Sequence, residues 1–184
     1  MKGVFKLINE EKVSKNKSFI LITIIILVLA VSVLAYFNRV DHELKQELQM
    51  NAEFIIKNAE QEFRITMGDV LNLNPVDFTA TMNTSTTQPT PVEYTGVELS
   101  KLLQNYDVQI TDESIIQVTA LDGYATALNG KEVLEPENIY LSIYKNGEPL
   151  KSKAQGGDGP YLIVIRNDRF SQRWCKFVAE INVR

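Results

Sequence analysis

The sequence predicts an α+β domain preceded by one membrane-spanning helix and a helical stalk. Three observations predict it: a long apolar run near the N-terminus, a stripe of apolar residues at helical spacing after it, and a C-terminal portion in which β-branched and aromatic runs surround a short amphipathic helix. With 184 residues, 45% of them hydrophobic, the chain has material for one ordinary core plus an appendage.

Residues 19–37 hold only two polar side chains, Thr23 and Ser32. As a helix this run spans about 28 Å, enough to cross a bilayer once. A cleavable signal peptide is the rival reading, but its apolar region is usually about 7–15 residues and Val33-Leu34-Ala35 is a poor cleavage pattern. A retained anchor is expected. Lys2, Lys6, Lys12, Lys15 and Lys17 precede the run, against Arg39 and Lys45 beyond it, and positive charge tends to stay cytoplasmic. Residues 1–18 are therefore expected as a cytoplasmic tail at the cell membrane, with the C-terminal domain extracytoplasmic.

The tail carries five lysines and two glutamates, so a whole-chain charge of −4 leaves −7 for the remainder. Binding nucleic acid rests on neutralising phosphates with a basic face, which this acidic balance does not supply, so no nucleic-acid partner is expected. Cys175 is the only cysteine, so no disulfide can form within one chain. His42 is the only histidine and falls on the expected stalk, which leaves no histidine metal site or histidine-based triad for the domain.

Val40, Leu44, Leu48, Ala52, Ile55, Ala59 and Phe63 recur at steps of four, with one step of three. This spacing predicts a stalk helix over 38–65, its other faces carrying charges such as Glu43, Lys45, Glu53 and Lys57. Its apolar stripe has two readings: a parallel coiled coil that makes a homodimer, or packing onto the chain's own domain.

The domain proper is expected over 66–184. Its first elements are a short helix near Gly68 to Leu73 and a strand at Asp77 to Met82. A Ser/Thr-rich loop from Asn83 to Thr90 follows, closed by Pro89 and Pro91. Asn83-Thr84-Ser85 fits a glycosylation sequon, but the pattern is short and a polar hairpin tip is the expected reading. Val97, Leu99, Leu102, Leu103 and Tyr106 predict an amphipathic helix from Gly96 to Tyr106. Strands are predicted at 115–121, 139–144, 161–166 and 174–183, with a tight turn at Asn146-Gly147. Gln155 to Pro160 lacks the helix and lysine of a phosphate loop and is read as a flexible connection.

Tyr94-Thr95-Gly96-Val97-Glu98-Leu99, Leu102-Leu103, Asp122-Gly123-Tyr124, Gly147-Glu148-Pro149-Leu150, Gly159-Pro160 and Trp174-Cys175-Lys176 occur in this order. Together these blocks resemble the molybdopterin-binding domain of the sulfite-oxidase-type oxidoreductases. The resemblance implies an α+β fold built on a mixed sheet. In catalytic members it implies a pterin cofactor gripped by backbone and basic side chains, with its metal held by a cysteine thiolate. That cysteine is expected near Thr81 to Thr87, where this chain has only Met82, Asn83 and hydroxyl residues. None of these replaces a thiolate as a soft ligand. Catalytic members also commonly place an arginine shortly after the proline of Gly159-Pro160, and Leu162 stands there.

Asp122, Tyr124 and Lys176 match the family's pattern, although Asp-Gly is also a plain turn dipeptide. Arg166, Arg169, Arg173 and Lys176 cluster around the turn 167–172, and guanidinium groups suit phosphate or carboxylate. The alternative for this patch is a solvated turn between strands. Alternation along a continuous strand puts Cys175 on the core face with Phe177, Ala179 and Ile181, and leaves Trp174, Lys176 and Val178 on a partly exposed face.

Three functional expectations follow. The first is an anchored domain without metal chemistry, and without an expected cofactor, that binds a small anionic ligand or a protein partner. The second, from the resemblance, is an oxidoreductase or oxidoreductase subunit holding molybdopterin or another pterin without a protein thiolate. The third is an interaction subunit that associates through Leu44, Leu48 and Ile55 of the stalk.

Overall fold

The computed structural model describes residues 19–39, 51–59, 61–86 and 88–184. The chain divides into two compact units, Met1–Glu47 and Leu48–Arg184. The described part of the first is helix α1, Phe19–Arg39, which is long and apolar enough to cross a bilayer. Both polar side chains in the run are satisfied inside the helix. Thr23 Oγ1 donates to the Phe19 carbonyl at 2.9 Å and Ser32 Oγ to the Val28 carbonyl at 2.8 Å.

The stalk expectation is corrected for its second half. Strands β1 (Glu53–Lys57) and β2 (Glu62–Thr66) form an antiparallel hairpin there, with Glu53 opposite Thr66 and Lys57 opposite Glu62. The chain reverses where Asn58 N–H donates to the Gln61 carbonyl and Asn58 Oδ1 accepts from Gln61 N–H. Phe54, Ile56 and Ile65 are the fully buried residues, and they follow the two-residue period of strands. Ile55 belongs to the partly covered face, so the helical stripe picked the wrong residues of an apolar triplet. Val40, His42, Leu44 and Leu48 lie outside the described residues.

Sheet A has five strands in the order β2-β1-β11-β5-β6, where β5 is Ile115–Ala120, β6 is Ala125–Asn129 and β11 is Val178–Val183. It is mixed, because β1 runs parallel to β11 while its other pairs are antiparallel. Sheet B follows the path β10-β9-β7-β4-β3, with β8 also paired to β7. Its strands are β3 (Val76–Met82), β4 (Thr90–Glu98), β7 (Ile139–Lys145), β8 (Glu148–Pro149), β9 (Leu162–Ile165) and β10 (Cys175–Lys176).

Among the described residues three short α-helices and two single 3-10 turns, Lys153–Gln155 and Ser171–Arg173, complete the α+β domain. Thr66 and Asp69 form a capping box on α2 (Met67–Asn72), and Asn129 and Glu132 form another on α4 (Gly130–Leu134). Helix α3 (Leu99–Asn105) buries Leu99, Leu102 and Leu103 and packs on β4 and β7. It starts three residues later than the periodicity predicts. Gly96 belongs to β4, at an irregularity in the pairing with β7, where a Cβ would stand 2.5 Å from the Leu141 carbonyl oxygen. The strand needs glycine here because another backbone passes that close.

The single C-terminal strand is also corrected. The chain leaves sheet B after Lys176 and joins sheet A at Val178, turning at Phe177 with φ 55. This break defeats simple alternation: Cys175, Phe177, Val178 and Ile181 are all buried, and so is Trp174, whose Nε1 donates to the Ile165 carbonyl at 3.1 Å. Strand β6 and helix α4 lie where no element was expected. Their small and polar residues give no periodic signal, although Asn129 and Glu132 carry the three-residue spacing of a capping pair.

Candidate functional site at the β3–β4 loop

The loop after β3 is held shut by the segment after β9. Asn83 N–H donates to Ser171 Oγ at 2.7 Å, and Ser171 N–H donates to the Asn83 carbonyl at 2.9 Å. The Asn83 side-chain Nδ2 donates to the Arg169 carbonyl at 2.8 Å. Arg166 Nε reaches the Thr79 carbonyl of β3 at 3.2 Å. The loop where the resemblance places a metal ligand thus uses its polar groups to bind the arginine-bearing turn.

Most of the cations in the predicted basic patch are already engaged. Arg166 Nη1 donates to the Glu137 carbonyl at 2.9 Å and lies 3.4 Å from Glu137 Oε2. Arg173 meets Asp168 through Nε and Nη2 at 3.0 and 2.6 Å, and Glu132 through Nη1 and Nη2 at 3.2 and 3.0 Å. These bonds to Asp168 and Glu132 push the Arg173 guanidinium further up from its ordinary value. Arg169 is different. Its guanidinium lies 5.4 Å from the Phe170 ring centre, and no carboxylate stands within ion-pair distance of it among the described residues.

Lys176 is engaged elsewhere. Its Nζ lies 2.7 Å from Asp158 Oδ1, and Lys145 Nζ lies 3.2 Å from Asp158 Oδ2. Burial pushes the Asp158 carboxyl up, but Lys176 and Lys145 together outweigh it and hold the group below the usual carboxylate range. Asp158 also lines an open depression of about 420 Å³ with Lys145, Glu148, Lys151 and Gly157. Lys151 faces Glu148 at 3.8 Å, so the lysines of this hollow also sit beside carboxylates.

Asp122 and Tyr124 form the tip of the β5–β6 hairpin, where Gly123 supplies a φ of 86. Asp122 Oδ1 accepts from Tyr124 N–H at 3.2 Å, and Asp122 Oδ2 lies 3.0 Å from Lys153 Nζ. The hydrogen bond from Lys153 draws the Asp122 carboxyl down. Tyr124 Oη donates to the Gln172 carbonyl at 2.8 Å, which ties the hairpin to the same turn that closes the β3–β4 loop. Six predicted residues are thus split: Arg166, Arg169 and Arg173 share the turn, Tyr124 touches it, and Asp122 and Lys176 are held by Lys153 and Asp158.

Sequence reasoning missed the carboxylates Glu132, Glu137, Asp158 and Asp168. Glu132 carries a local signal as the capping partner of Asn129, and Asp168 stands five residues before Arg173 on the same turn; Glu137 and Asp158 meet Arg166 and Lys176 through tertiary folding.

A model of the oxidoreductase molybdopterin-binding domain matches residues 34–184. The chain belongs to this family. Among solved structures, that of the sulfane dehydrogenase SoxCD from Paracoccus pantotrophus superimposes with a TM-score of 0.61 at 20% identity, over 73% of this chain. The match spans 38% of that protein's chain, so the shared part is a fold and not the whole enzyme. No curated protein matches the sequence.

The molybdopterin that names the family can be tested against the residues present. The β3–β4 loop offers amide and hydroxyl groups but no thiolate, and Asn83 is bound to Arg169 and Ser171. Cys175 cannot serve from β10, because it is fully buried and burial pushes its thiol up to about 12. Among the described residues no cluster of three or more histidine, cysteine or acidic side chains forms a metal cage. This donor set does not fit the metal end of the family's cofactor.

Proposed function

We propose that this molybdopterin-binding-type domain is an extracytoplasmic binding module, anchored through α1 and working without metal redox chemistry. The observation that carries this reading is the Asn83–Ser171 closure, which ties the loop where the resemblance expects the metal ligand to the turn after β9. The carboxylate partners of Arg166, Arg173 and Lys176 support it, since a side chain already neutralised has little to offer an anionic cofactor. Arg169 is the side chain left to meet a small anionic ligand or an acidic partner at the turn.

The test is the molybdenum and pterin content of the full chain purified in detergent, measured by mass spectrometry. Neither should copurify, and stoichiometric molybdenum would overturn the proposal. Family membership favours a second reading, an oxidoreductase subunit holding a pterin without a protein ligand to the metal. That reading requires cofactor absorbance and turnover with an electron acceptor. Orientation is read separately, by whether protease added outside intact cells removes the C-terminal domain.

A further inference from the structure

Among the described residues the two sheet paths end in β2 and β6 in sheet A and in β3 and β10 in sheet B, and the two-residue β8, with Glu148 and Pro149, is a further short edge. An open strand edge is a template for another strand, and proteins normally guard it with charge, brevity or a covering contact. Strand β2 carries Glu62 and Arg64, and Arg64 pairs with Glu53. Strand β3 carries Asp77, and Arg166 occupies its Thr79 carbonyl. Strand β10 is only two residues long and carries Lys176. Strand β6, Ala-Thr-Ala-Leu-Asn, has no charge and no proline, and its neighbour β5 is equally free of charge.

The direction of the β6 backbone groups follows from its neighbours. Ile115 and Arg184 exchange both N–H···O bonds, at 2.8 and 2.9 Å, so Ile115 turns its polar groups toward the β11 side. Alternation along β5 then points Ile116 and Val118 at β6, opposite Leu128 and Thr126. Ala125, Ala127 and Asn129 therefore direct their N–H and C=O groups to the open side. Asn129 N–H is already taken by Glu132 Oε1 at 2.8 Å, which leaves Ala125 and Ala127 as the free ladder positions. Both have exposed side chains too small to obstruct a neighbour.

We propose that β6 pairs antiparallel with β6 of a second copy of this chain, around a two-fold axis at Thr126. Ala125 of each copy then exchanges both backbone bonds with Ala127 of the other, and sheet A continues across the axis. Charge favours a second copy as the occupant. Away from this edge, two copies of an acidic chain oppose like charges, whereas β5 and β6 bring none together. The strand is flanked by Asp122, which Lys153 already partners, at one end and by exposed Lys131 at the other, so antiparallel self-pairing brings Lys131 of each copy to the Asp122–Lys153 end of its partner and opposes no two carboxylates. The same two-fold pairing is isologous and closes at the dimer. The inference does not depend on whether a cofactor binds.

The full chain in detergent should have the mass of two protein chains by size exclusion with light scattering. Ala127→Pro removes one outward donor without touching the bond network to β5, and Ala127→Lys places charge on the edge. Each should raise the dimer dissociation constant by at least about tenfold. An unchanged melting curve for either variant shows that the fold survived. In a non-hydrogen-bonded pair the Cα atoms lie about 4.5 Å apart, within disulfide reach, so Thr126→Cys, although only 7% exposed in a single chain, should give a covalent dimer under copper-phenanthroline oxidation. Cys175 is fully buried on β10 of sheet B, away from this axis, and should contribute none. A wild-type chain that stays monomeric would overturn the proposal, as would a dimer that tolerates Ala127→Lys and leaves Thr126→Cys uncrosslinked.

Discussion

Asn83 and Ser171, 88 positions apart in sequence, hold each other through two hydrogen bonds, one to the Ser171 hydroxyl at 2.7 Å and one from the Ser171 N–H at 2.9 Å. Ser171→Ala removes the first and leaves the partly buried Asn83 N–H without that acceptor. The expected cost is about 1 kcal/mol, read as a lower denaturant midpoint with faster hydrogen exchange at the Asn83 amide. Ser171→Thr keeps the hydroxyl and should restore both. Equal exchange in all three proteins would show that the closure is not held by this bond.

Among the described residues Arg173 is the sole cation paired with Glu132 and Asp168, which are both largely covered. Arg173→Ala leaves the two carboxylates facing each other, at an expected cost of about 1–3 kcal/mol, discounted toward the lower end because the guanidinium is partly solvated. Arg173→Lys should recover less than half of the loss, since an ammonium cannot make the paired donor geometry. The denaturation midpoints of the three proteins check the order.

The pairing of Asp158 with Lys176 and Lys145 predicts a dependence on acid. The folded carboxyl sits below its unfolded value, so its contribution is complete above the ordinary aspartate range and is lost as pH falls through the lower folded value. Thermal stability should therefore decline below about pH 4. Asp158→Asn should be less stable at neutral pH and show a shallower decline. Parallel curves for the two proteins would remove Asp158 from the account.

Two glycines separate steric need from backbone need. A Cβ at Gly96 meets the Leu141 carbonyl oxygen at 2.5 Å and Ser142 Cα at 2.8 Å, both of them backbone. Gly96→Ala should cost about 3 kcal/mol or more, or leave the protein insoluble. A Cβ at Gly123 meets nothing within 4 Å, and only its φ of 86 is unfavourable. Gly123→Ala should cost about 1 kcal/mol. Melting temperatures that reverse this order would contradict the β4–β7 packing.

The legible elements were those whose signal is local. The apolar run became α1, and α2, β3, β5, β7 and β9 fall within a residue or two of their expected positions because period, branching and capping residues lie inside each segment. The family blocks were legible for the same reason, and they carried the fold class. The stalk failed where Ala52, Ile55, Ala59 and Phe63 mimic a helical stripe, since the outcome there depends on β1 finding β11 more than a hundred residues away.

What the sequence by itself determined is a helix long and apolar enough to cross a membrane, the acidic α+β domain of molybdopterin-binding type, and the absence of a cysteine from the β3–β4 loop. The tertiary structure decided the rest. It spent Arg166, Arg173 and Lys176 on Glu137, Asp168, Glu132 and Asp158, closed the Asn83 loop with Ser171, and left the uncharged β6 edge open. The physical reason is that helix period and turn chemistry act within a few residues, whereas strand order and ion pairing join residues that only the folded chain brings together.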